Sequence, residues 1–212
     1  MIDDKAGQKV FCIGFQKTGT TSLGKALSIL GYSVEGYYPF RNLAKKGDLT
    51  FNDIWSIATD LLNTYDAFKD TPWPVLYKKL DSEFPDSKFI LVKRDPEKWI
   101  QSVVEDFGSY PNEIHRLIYG TAFPLGNERN WIDRYNQHNN EVESYFSNNA
   151  DRFVSLNLSK GECNWDSVCN FLSKPLPSIA WPHSNSKNEK RINMARWKIE
   201  NKLQQVFGID EK

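Results

Sequence analysis

The chain has 212 residues, with 27 basic and 27 acidic side chains and a formal net charge of zero. That balance excludes a global field drawing in nucleic acid or an anionic membrane, so a bound anion must be held by locally placed Lys, Arg and backbone N–H groups. Thirteen Phe, nine Tyr and seven Trp exclude a disordered chain, and the length suits one domain spanning residues 1–212.

The opening segment, MIDDKAGQK, is polar and lacks the apolar core of a signal peptide. No apolar run approaches a membrane span, and the expected location is the cytoplasm. The three cysteines, Cys12, Cys163 and Cys169, have no metal-type spacing, and an odd number does not suggest a disulfide framework. A reducing compartment fits them, with Cys12 read as a small buried hydrophobe.

Beyond the opening segment, the pattern alternates strand and helix. Strands are predicted at about 9–14, 33–37, 65–69, 88–93 and 152–156. Helices are predicted at about 20–31, 52–63, 73–83, 96–107, 112–119, 128–148, 164–172 and 188–207. Gly31 reads as a helix stop, and Asp95-Pro96 as an N-cap followed by proline at the first helical position. Segment 128–148 places Trp131, Tyr135, His138, Val142 and Tyr145 on one face. Segment 173–187 is rich in Pro, Ser and Asn and reads as a loop. Alternation of this kind predicts an α/β fold: a three-layer domain with a central, mostly parallel sheet of about five strands flanked by helices.

The first strand enters a loop bounded by Gly14 and Gly19, and the hydroxyl residues Thr20, Thr21 and Ser22 open the next helix. A glycine-bounded turn onto a helix N-terminus presents backbone N–H groups and partial positive charge to phosphate or sulfate. The spacing is close to the P-loop pattern G-x-x-x-x-G-K-[ST], with a difference: Thr20 follows the second glycine, and the lysine is inside the loop at Lys17. The shift argues against an ordinary ATPase or GTPase and leaves no strong case for Mg²⁺.

The segment GFQKTGTTSL resembles the 5′-phosphosulfate loop of the sulfotransferase superfamily. A second stretch, Phe89 to Pro96 with Trp99 and Ser102, is similar to that family's 3′-phosphate site, where an arginine ends a strand and a serine lies eight residues on. Arg94 and Ser102 have that spacing. Asp70-Thr71-Pro72, Phe84-Pro85 and Trp181 to Asn185 resemble a branch of small single-domain members. The resemblance spans about residues 9–185. It implies a P-loop-type fold, 3′-phosphoadenosine 5′-phosphosulfate (PAPS) as donor, 3′-phosphoadenosine 5′-phosphate (PAP) as product, and no metal. It assigns donor binding to Gly14, Gln16, Lys17, Thr18, Gly19, Thr20, Thr21, Ser22, Arg94 and Ser102, with Lys17 neutralising the bridging oxygen as the S–O bond breaks. The family's arginine-lysine-glycine triplet is absent; Lys187, Lys190 and Arg191 follow His183 instead.

The acceptor needs a base. Asp70 follows a predicted strand, and ligands of open α/β sheets sit outside strand C-terminal ends; burial would have to raise its pKa. His138 is the other candidate, since an imidazole already titrates in the right range. Against each stands a bland role: a turn-capping carboxylate and a hydrogen-bonded core histidine. Tyr37, Tyr38, Phe40, Trp73, Phe107, Tyr110 and Trp131 are candidates for an acceptor cleft taking a small molecule or a carbohydrate. Two other functions stay open, an atypical P-loop kinase or nucleotide hydrolase and an inactive nucleotide-binding module. The oligomeric state is open as well.

Overall fold

The structure, a computed structural model, describes residues 8–183. Five strands form the sheet: β1 (Val10–Cys12), β2 (Val34–Glu35), β3 (Ala67–Phe68), β4 (Lys88–Lys93) and β5 (Phe153–Asn157). Their order is β2-β3-β1-β4-β5, and every pairing is parallel. Among the described residues seven α-helices accompany them: α1 (Thr20–Ile29), α2 (Phe51–Leu62), α3 (Tyr77–Glu83), α4 (Pro96–Phe107), α5 (Glu113–Tyr119), α6 (Glu128–Tyr145) and α7 (Trp165–Leu172).

Period-two alternation along the strands sorts the side chains into two cores. Phe11, Phe68, Phe89 and Leu91 point to one face, where they meet apolar residues of α2 to α6. Val10, Cys12, Ala67, Ile90 and Val92 point to the other, against Leu23 and Leu27 of α1 and Val168 and Leu172 of α7. Among the described residues the layers are therefore unequal, five helices on one face and two on the other. The larger core is dominated by stacked rings, among them Trp99 on Tyr135 and Tyr119 on Trp131, with centroids 4.2 and 3.8 Å apart.

The predicted elements fall close to the observed ones, though β2 and β3 are shorter than expected and Leu158–Lys160 forms an unpredicted 3₁₀ turn; three further differences concern the larger face. Segment 38–45, given no element in the sequence, is a 3₁₀ helix anchored by buried Phe40. The helix expected over 73–83 begins as a 3₁₀ turn at Trp73–Leu76, ahead of α3. The helix α6 stops at Tyr145 because Phe146 leaves the helical conformation. The compact unit ends at Trp181; the expected helix at 188–207 and the basic residues Lys187, Lys190 and Arg191 lie outside the described residues. Among the described residues no helix is long and apolar enough to cross a membrane.

A parallel sheet sends all its C-terminal strand ends to one side. β1 lies between β3 and β4, and the chain builds toward β2 and β3 before crossing to β4 and β5. The end of β1 is thus the switch point at which such sheets take ligands, and the three residue groups singled out from the sequence leave the ends of β1, β3 and β4.

Candidate active site

The loop after β1 is packed, not splayed. Gly14 permits its close approach to β4: a Cβ there would lie 2.3 Å from the Val92 carbonyl oxygen. Thr18 is buried and its hydroxyl donates to the Phe15 carbonyl at 2.7 Å. The Trp99 indole donates to the Gln16 carbonyl at 2.8 Å, and the Thr71 hydroxyl donates to Gln16 Oε1. Main chain and side chain of Gln16 therefore tie the loop to α4 and to the segment after β3.

Gly19 sits at the N-cap of α1 with φ 104°, a left-handed conformation that suits glycine. It provides no side-chain cap, and the first turn, opened by Thr20, Thr21 and Ser22, carries no acidic residue. Lys17 also has a positive φ, 69°, and Asp70 has 70°. Two of the four non-glycine residues with positive φ among the described residues are thus site candidates, and such conformations cluster where function demands a particular placement.

Arg94 follows β4. Its backbone N–H donates to the Tyr135 hydroxyl at 2.8 Å, and that hydroxyl donates to the Arg94 carbonyl at 2.9 Å, which pins the main chain on α6. Its Nη1 donates to the Lys17 carbonyl at 3.3 Å. Asp95 does not draw the guanidinium away, because its carboxylate accepts from the Lys98 N–H and caps α4. Ser102 is half-buried on α4. It stands three residues after Trp99 and four before Asp106, on one helical face. Trp99 touches Gln16, and Asp106 pairs with the Lys17 ammonium, so the face bearing Ser102 looks onto the loop.

Asp70 follows β3 beside the loop. Its side chain keeps 23 % of its surface and lies 3.8 Å from the Lys69 ammonium. Burial pushes the carboxyl above the ordinary carboxylate range, and Lys69, the Thr71 N–H and Lys17 pull it back part of the way.

His138 is placed differently. Its ring is fully buried, stacked on Phe15 at 4.3 Å, with Nε2 at 2.8 Å from the Ile13 carbonyl. Burial pushes its pKa down to about 4. The aromatic candidates for an acceptor cleft divide. Phe40, Trp73 and Trp131 are wholly buried core residues, which corrects the expectation for them; Tyr38 and Tyr110 are exposed, and Tyr37 and Phe107 half-buried. Cys12 is buried as expected, and burial raises its thiol to about 12.

The sequence reading missed Asp106, Lys69, and the tie from Gln16 to Thr71. A helical-face projection of α4 would have aligned Asp106 with Ser102, and Lys69 directly precedes Asp70 in the chain; no local pattern marks the tie from Gln16 to Thr71.

The fold is α/β with five parallel strands, and the strand-end cluster surrounds a glycine-bounded turn onto a helix N-terminus. The chain matches the model of the sulfotransferase domain family over residues 9–122 and 103–190, and it belongs to that family. It is 24% identical over 253 aligned residues to Ava biosynthesis cluster protein M of Aspergillus versicolor, a match covering 95% of this chain and 92% of that protein. Its fold is similar to that of a sulfotransferase from Alicyclobacillus acidocaldarius, with a TM-score of 0.54 and 14% identity over 97% of this chain and 98% of that one.

Proposed function

We propose that the protein transfers a sulfuryl group from PAPS to a hydroxyl or amine of a small-molecule or carbohydrate acceptor by in-line displacement. The observation that carries the reading is the convergence of three strand ends. Lys17 and its loop, Asp70 and Arg94 leave neighbouring parallel strands, and Arg94 is bonded to the main chain of Lys17 itself.

The residues fit the donor. The first turn of α1, without a side-chain cap or an acidic residue, suits the 5′-phosphate, held by N–H groups and hydroxyls of Gly19, Thr20, Thr21 and Ser22. Gly14, Gln16 and Thr18 hold the loop in shape. Arg94 supplies a planar fork and Ser102 a hydroxyl for the 3′-phosphate.

Sulfuryl transfer, like phosphoryl transfer, is a matter of alignment and charge stabilisation. The acceptor oxygen attacks sulfur, the bond to the bridging oxygen breaks, and PAP leaves with the bond electrons. Lys17, held near by Asp106, neutralises that oxygen. Asp70 takes the acceptor proton; its raised pKa makes it a better base than an exposed aspartate. We assign His138 to support of the loop, because a fully buried ring held on the β1 main chain offers no surface to an acceptor.

One observation favours a second reading. Asp70 stands at the end of β3 beside β1, where an acidic ligand for nucleotide-bound Mg²⁺ would serve a kinase or hydrolase. Calorimetric titration with PAP, ADP and ATP–Mg²⁺ separates the two. Micromolar binding of PAP with little binding of ADP is the expected result. Preference for ATP–Mg²⁺ would overturn the sulfotransferase assignment of the site.

A further inference from the structure

Two glycines that no turn requires lie on either side of one lysine. Gly24 is buried inside α1, where glycine is unfavourable compared with alanine. A Cβ on it would lie 2.5 Å from Cδ and 2.7 Å from Cε of Lys69. Gly36, just after β2, is also buried, and a Cβ there would lie 3.2 Å from the Lys69 ammonium. The Lys69 N–H donates to the Glu35 carbonyl at 3.0 Å, which fixes where the side chain starts. The stem then runs over α1 through space that side chains at 24 and 36 would fill, and the ammonium ends 3.8 Å from Asp70 Oδ2.

We propose that Lys69 is a positioning residue for Asp70, seated in the channel left by Gly24 and Gly36 so that its ammonium holds the carboxylate ionised and fixed at the end of β3. The other groups facing Asp70 are Lys17 from the loop, Cys12 from β1 and Tyr119 from α5. Lys17 is engaged with Asp106, and the Cys12 thiol is neutral at physiological pH. Lys69 is thus the principal counter-charge. The catalytic meaning of this arrangement rests on Asp70 being the base, as proposed above.

The test is the ¹³C carboxyl titration of Asp70, its resonance assigned by its disappearance in Asp70→Asn. In Lys69→Met the midpoint rises by about one pH unit or more, because an opposite charge at this range is removed. In Lys69→Arg it stays near the wild-type value. Gly24→Ala moves the midpoint in the same upward direction as Lys69→Met without changing any charge, because the new methyl displaces the lysine stem. It also favours helix, so it decides the matter if Lys69→Met does not fold. An unmoved midpoint in a variant that still binds PAP as wild type does would overturn the proposal. The assignment of the base fails separately: if Asp70→Asn keeps full turnover with PAPS, Asp70 is not the base, whatever the titration shows.

Discussion

The N-termini of α1 and α4 both adjoin the site, and they are built in opposite ways. Helix α4 is closed by its own sequence. Asp95 accepts from the Lys98 N–H, Pro96 occupies the first helical position, and Glu97 adds a negative charge to the first turn. Helix α1 has none of these, only Gly19 in a left-handed conformation. Side-chain caps also open α2, α5 and α7, from Thr50, Asn112 and Asn164, whereas α3 and α6 begin without one. At α1, where the donor is proposed to bind, the first turn has neither a side-chain cap nor an acidic residue. At α4 the positive charge comes from a side chain, Arg94, just outside the capped end. In the proposed function, backbone dipoles at α1 and a guanidinium at α4 would hold the two ends of one bisphosphate nucleotide.

The comparison can be broken most severely at Lys17. Lys17→Ala is expected to lower kcat by roughly 100- to 1,000-fold, about 3–4 kcal/mol of transition-state stabilisation, with PAP affinity nearly unchanged by calorimetry. A loss confined to PAP affinity would move Lys17 from chemistry to binding. Next in size, Arg94→Ala should weaken PAP by roughly 10- to 100-fold, the range for a charged hydrogen bond, and leave ADP affinity almost where it was. Equal losses for both nucleotides would mean that the arginine serves the loop, through its bond to the Lys17 carbonyl, and not the 3′-phosphate.

Acid tests the packed side of the molecule. Burial holds His115 and His138 down at about pKa 4, well below the ordinary 6.5. The unfolded chain takes up these protons from about pH 6.5 downward, while the fold resists until about pH 4. The stability tied to the neutral rings is full above pH 6.5 and declines through that window. Tm followed between pH 7.5 and 4.5 should fall, and His115→Phe, placed among the Phe107, Tyr119 and Trp131 rings, should fall less steeply. An unchanged slope would assign the acid sensitivity to other groups. The smallest effect sharpens the contrast between capped and uncapped helices. Thr50→Ala removes the capping box of α2 and should cost about 1 kcal/mol, visible as a Tm drop of about 2–4 °C, with no change in PAP binding.

The sequence by itself determined the element order, the parallel α/β architecture and the glycine-bounded turn before α1, because these rest on signals within a few residues: alternation in β4, proline and aspartate before α4, glycines around the first loop. It also placed Lys17, Asp70 and Arg94 at strand ends, which a parallel sheet brings to one side. Only the tertiary structure decided what holds them. Lys17 meets Asp106 across 89 residues of sequence, Trp99 meets Gln16 across 83, and Thr71 meets Gln16 across 55. No local window contains such pairs. Burial is equally non-local: His138 and Trp131 share a helical face with other apolar residues, and periodicity alone does not tell a face that lines a cleft from one that packs shut. The same holds for Gly24: helix propensity alone marks it as unfavourable, and only the fold places the Lys69 stem over it.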